Sequence, residues 1–168
     1  APDYPAGYPP PLREPVLALI EQQRFAELLL KRYPRANEVR SDGALYDFAQ
    51  ALKADTMRSA APLSKVCFDS KLHVIRNALG THTTISRVQG ARLQTKREIR
   101  VATLFRELPL EFLRMIVVHE LAHLRERNHD KAFYQLCQHM EPHYHQYEFD
   151  LRAYLCYRDA AGAPLWSA

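Results

Sequence analysis

Cysteine is scarce in this chain. Three are present, Cys67, Cys137 and Cys156, an odd number at wide spacing with no Cys-x-x-Cys pair. That argues against a disulfide framework and for a reducing cytoplasm as the natural home. Each cysteine reads as core filling. Long apolar runs are missing too: none approaches the ~18 residues of a membrane span, so no membrane partner is expected. The polar, proline-rich start carries no secretory signal pattern. Extreme charge is also absent. A net charge of +4 and a pI of about 9.0 are mildly basic, which is no nucleic-acid signature by itself. What remains is ordinary: 168 residues, 47% hydrophobic and 25% charged, suit one soluble domain with a sizeable core.

Against that background one stretch stands out, Val117-Val118-His119-Glu120-Leu121-Ala122-His123. Residues four apart share a helix face. His119 and His123 therefore point the same way and can hold one zinc ion at the usual ~2.0–2.1 Å. Glu120 lies about 100° round the helix from His119, where a general base for a zinc-activated water belongs. With 8 histidines in 168 residues, chance yields His-Glu-x-x-His in roughly one shuffled chain in forty, so context must decide. The context is an apolar helix, in which two histidines and a glutamate are costly to bury without a partner. Zinc supplies that partner.

A third histidine, His129, follows six residues after His123. From an unbroken helix it would point about 240° away and ~9 Å further along. The helix must end for it to join, and Asn128, which tolerates the left-handed conformation, is the expected device. Sites with this spacing often carry glycine at the place of Glu126. Glu141 is the rival third ligand, as in two-His-plus-Glu sites; His129 is favoured.

Hydrophobic periodicity organises the rest. Residues 1–11 hold five prolines and read as an extended lead-in. Residues 12–158 form one domain, divided into a helical part over 12–62 and a catalytic core over 63–158, with a tail at 159–168. Helices are expected over 12–33, through Val16, Leu17, Ile20, Leu28 and Leu29, and over 42–59, through Leu45, Tyr46, Phe48, Ala49 and Leu52. Strands are expected at 66–68, 72–75, 83–88 and 98–104, forming a small, mainly antiparallel sheet. Pro109 opens the metal helix, about 110–127, which is apolar around much of its circumference and hence central. Asp130 caps a helix to about 140, and a last helix runs over about 143–158. The fold class is α+β.

Residues 64–106 carry nine Lys or Arg against Asp69 and Glu98, a local excess of seven positive charges. Solvated strand faces account for most of it; a patch for an acidic partner is the sharper reading. Two or three neutral imidazoles leave zinc an open position for water, and Glu120 takes the proton as water attacks a carbonyl. Oxyanion donors are sought downstream among Tyr134, Tyr144, Tyr147, His139, His143 and His145. A peptide substrate would add as a strand to the sheet edge. His73 and His82 read as structural or solvent-facing. His143 and His145, two apart, do not share a helix face and do not read as a second metal pair.

The stretch Leu108 to Phe133, with His119-Glu120-Leu121-Ala122-His123, then His129 and Phe133, resembles the signature of the YgjP-like metallopeptidase family, bacterial zincins related to the SprT-like and WLM proteases. The resemblance extends over about 12–155, including Ser86 to Gly90 and Glu98 to Val101. It implies a zincin core: a small sheet, the metal helix below it, zinc on His119, His123 and His129, and Glu120 as catalytic base. Many family members carry Arg-Trp-Gly-x-Cys where this chain reads Arg87-Val88-Gln89-Gly90-Ala91, so the substrate cleft does not carry over with the motif. The expectation is a cytoplasmic zinc peptidase acting on peptide or protein. Its alternatives are a DNA-associated protease using the basic strands, with nucleic acid as partner, and a non-catalytic zinc scaffold.

Overall fold

The computed structural model describes residues 24–58, 60, 62–72, 91–93 and 97–166. Helix α1, Phe25–Arg32, buries Phe25 and Leu29 on one face and ends at Tyr33, just before Pro34. Leu28, expected among its inward positions, is 43% exposed. Helix α2, Asp42–Thr56, starts where the Ser41 side chain accepts from the Ala44 N–H. Leu45, Ala49 and Leu52 form its buried stripe, the i, i+4, i+7 spacing of an amphipathic helix. The lead-in, residues 12–23, all of the expected strand 72–75 after Leu72, and the expected strand 83–88 lie outside the described residues, as do His73 and His82.

Three described strands, β1 (Lys65–Asp69), β2 (Ala91–Leu93) and β3 (Glu98–Ala102), form a sheet in the order β1-β3-β2. β1 and β3 run parallel, Val66 opposite Ile99 and Phe68 opposite Val101, while β2 and β3 are antiparallel. The sheet is therefore mixed, and its longer pair is parallel. The expectation of a mainly antiparallel sheet is corrected. Alternation of apolar and polar residues identifies a strand but carries no direction, and β3 inserts between the two strands that precede it. Val66, Phe68, Ile99 and Val101 face the core. The Phe68 N–H donates to Asp42 Oδ1 at 2.9 Å, which ties β1 to the start of α2.

β3 ends at Ala102, and a 3₁₀ turn, Thr103–Glu107, takes the place of its expected last residues. Buried Asn37 pins this turn. Its side-chain amide donates to the Phe105 and Leu108 carbonyls, both at 2.8 Å, which fixes the entry to helix α3, Leu110–Ala122. Every residue of α3 from Phe112 to Ala122 except Arg114 is buried. Helix α4, Lys131–Met140, opens where Asp130 accepts from the Phe133 N–H at 3.0 Å. Helix α5, Tyr144–Ala161, ends at Gly162 with φ of 75°, the left-handed cap that suits glycine.

Within the segment expected to be a tail, Trp166 packs into the core. Trp166 is 3% exposed, donates from Nε1 to the Tyr33 carbonyl at 2.7 Å, and packs on Phe112 and Tyr154. Asp150 of α5 holds α1 by accepting from Arg32 and from the Tyr33 hydroxyl at 2.5 Å. All three cysteines are buried, and none forms a disulfide. No described helix is long and apolar enough to cross a membrane.

Candidate metal centre

His119 lies on the last full turn of α3, and His123 caps its end. Their rings meet edge to face at 4.9 Å between centroids. The helix stops at Ala122, five residues before the expected end. The N–H groups of Arg125 and Glu126 both turn back to the Ala122 carbonyl. Asn128 plays no left-handed part: among the described residues Arg97 is the one non-glycine with positive φ. The device is the carbonyl of Glu126, which lies 2.9 Å from His123 Nδ1. No left-handed residue is needed there, so the missing glycine at position 126 costs nothing.

This turn returns His129 to the helix. His129 Nε2 comes within 2.9 Å of His123 Nε2 and 3.3 Å of His119 Nε2. Two nitrogens bound tetrahedrally to one ion at ~2.0–2.1 Å stand about 3.3 Å apart. Burial lowers the pKa of His119 well below its usual value, and burial lowers that of His123. Both rings are therefore neutral near pH 7. His123 donates its Nδ1 proton to the Glu126 carbonyl, which leaves its Nε2 with a lone pair. At these separations two ring nitrogens either share a proton as a hydrogen bond or take a cation between them. The three histidines form a group that could hold a metal ion, and the donor set fits one.

Glu120 is 4% exposed, and its Oε1 lies 4.0 Å from His119 Nε2. Burial pushes its carboxyl up to about 8. Phe133 forms the floor of the cluster. It stacks on His123 at 4.5 Å and meets His119 and His129 edge-on at 4.9 and 5.0 Å.

Glu141 is not in this group. It accepts from Arg114 Nε at 2.7 Å and from the His143 N–H at 2.7 Å, so the rival third ligand is engaged elsewhere. Nor does Tyr144 sit where an oxyanion donor would. It is fully buried, and its hydroxyl lies 2.9 Å from His119 Nδ1, the ring edge away from the histidine cluster. His145 packs its ring beside Tyr134 and Tyr144, and Tyr147 lies edge-on to Tyr33. His139 and His143 are exposed. Sequence reasoning missed the Tyr144–His119 bond. A contact between residues 25 apart on different helices leaves no periodic trace.

A helix bearing His-Glu-x-x-His, with a third histidine delivered by the following turn, defines a class of proteins built to hold one metal beside a buried carboxylate. The chain belongs to the YgjP-like family: the family model described as a YgjP-like metallopeptidase domain matches residues 72–154. A curated relative named UTP pyrophosphatase, from Escherichia coli (strain K12), is 57% identical over 152 residues, covering 90% of this chain and 91% of that protein. No solved structure matches the chain significantly. Membership makes the chain an enzyme of hydrolase type.

Proposed function

We propose that this protein is a zinc-dependent hydrolase of UTP that releases UMP and diphosphate, with His119, His123 and His129 holding the metal and Glu120 accepting the proton. One observation carries the chemistry: three imidazole nitrogens converge beside a buried carboxylate. The substrate rests on the likeness to the UTP pyrophosphatase over nearly the whole of both chains. Three nitrogen donors with room for a fourth ligand suit zinc. When bound, zinc supplies Lewis acidity, which acidifies water and stabilises developing negative charge.

The remaining work falls to side chains. Water oxygen adds to the α-phosphorus, the bond to the bridging oxygen breaks, and diphosphate leaves. Glu120 takes the water proton and passes it on to the leaving group or to solvent. Burial raises its proton affinity in the metal-free chain, and a cation held beside it would favour the carboxylate form that accepts the proton. The hydrophobic floor at Phe133 keeps bulk water off the inner edge of the cluster. A triphosphate is a polyanion, and residues 64–106, which lead into α3, carry the local excess of seven positive charges that favours such a ligand.

Peptide hydrolysis is the second reading, supported by the family model's description as a metallopeptidase domain; protein substrates, bound to nucleic acid or not, belong to it. Strand addition at β1 is disfavoured, because Asp42 already takes the Phe68 N–H. The discriminating experiment incubates chelated and zinc-restored protein with UTP, follows products by phosphorus NMR, and runs a peptide library in parallel. UMP and diphosphate should appear only with metal and not with Glu120→Gln. Metal-dependent peptide cleavage without UTP turnover would transfer the assignment to the second reading.

A further inference from the structure

We propose that Tyr144 is a positioning residue for the metal site, fixing the protonation and orientation of the His119 ring. The inference rests on the reading that His119, His123 and His129 hold a divalent cation. His119 and Tyr144 are 3% and 0% exposed, so neither the Nδ1 atom nor the hydroxyl has water to turn to. Their separation of 2.9 Å makes each the other's partner, and the bond can run two ways. If the Tyr144 hydroxyl donates to Nδ1, the His119 proton must sit on Nε2, pointing at His129 and blocking a cation. If Nδ1–H donates to the Tyr144 oxygen, Nε2 keeps a lone pair facing the cluster. Only the second arrangement admits the metal.

The second arrangement needs an acceptor for the Tyr144 proton, and Cys137 provides it. Cys137 lies one turn before the end of α4, is fully buried, and interacts electrostatically with Tyr144. Sulfur is a weak acceptor, and in this proposal it takes the Tyr144 proton. The order is therefore His119 Nδ1–H to the Tyr144 oxygen, then Tyr144 O–H to Cys137 Sγ. Three helices contribute one residue each, so the ring of His119 is held by α4 and α5 while α3 carries it. His123 is held differently, by the Glu126 carbonyl of its own turn.

The test measures zinc affinity of wild type and Tyr144→Phe by competition with a chromophoric chelator, and records the visible spectrum of the cobalt-loaded proteins. Tyr144→Phe should weaken zinc by about 10- to 100-fold and alter the cobalt spectrum, with the far-ultraviolet circular dichroism of the metal-free form unchanged. Equal affinity and an unchanged spectrum would overturn the proposal while leaving the metal reading intact. Failure of the wild type to bind zinc or cobalt would remove both. Nitrogen-15 NMR of histidine-labelled, metal-free wild type gives an independent check that needs no variant. It should show the proton of His119 on Nδ1; a proton on Nε2 would refute the assignment.

Discussion

Glu120→Gln separates the cost of burying this carboxyl from its use. In the metal-free chain Glu120 is held at about 8 by burial, against 4.5 for an ordinary glutamate. The unfolded chain releases its proton first. Stability that is fully present below about pH 4.5 is therefore lost as pH rises towards 8, and the loss levels off above that. At about 1.4 kcal/mol per pH unit the gap sets a ceiling on the order of 5 kcal/mol, which relaxation and water entry reduce to about 2–4 kcal/mol. Glutamine has nearly the same shape and does not ionise. Burial lowers His119, which acts with the opposite sign below its ordinary 6.5, but it is common to both proteins and cancels in their difference. Urea unfolding in the presence of chelator, from pH 5 to 9, should show Glu120→Gln gaining on wild type as pH rises. With urea slopes of about 1–3 kcal/mol per molar, the relative midpoint should move by on the order of 1 M. A difference that stays flat across that range would refute the reasoning. In the metal-loaded enzyme the same substitution should lower kcat by about 10²- to 10⁴-fold.

Three further outcomes follow from the packing and the ion pairs. Trp166→Ala should cost about 3–5 kcal/mol, read as a fall in the urea midpoint, because it empties a site between Phe112 and Tyr154 and leaves the Tyr33 carbonyl without its donor. Asp150→Ala should cost about 2–4 kcal/mol by the same measurement: it strands the buried Tyr33 hydroxyl and frees Gln146, while the Arg32 partner, half exposed, adds little. Glu141→Gln should leave bound metal at one per chain by elemental analysis and lower stability by about 1–2 kcal/mol, since Glu141 pairs with Arg114 and not with the metal cluster.

Much of the site was legible because its parts are local. His119, Glu120 and His123 follow from helical spacing, and the start of α4 follows from Asp130 standing three residues before Phe133. His129 could be placed because its distance from His123 demanded a turn. The manner of that turn was not legible. It depends on a ring nitrogen of His123 meeting a carbonyl three residues on, a bond that substitutes for the left-handed residue expected at Asn128. The direction of the β1–β3 pair was hidden for another reason. Strand polarity is decided by how the chain crosses between β1 and β3, and alternation of side chains does not report it. Tyr144 and Trp166 act on His119 and Tyr33 across 25 and 133 residues, separations at which sequence patterns say nothing of contact.

The central claim is that three histidines, and no carboxylate, hold one metal. X-ray absorption at the zinc edge of the loaded protein tests it directly. The account predicts three imidazole nitrogens at about 2.0–2.1 Å, one of them lost in His129→Ala and none lost in Glu141→Gln. Two imidazoles with a protein carboxylate, or a spectrum unaffected by His129→Ala, would contradict it.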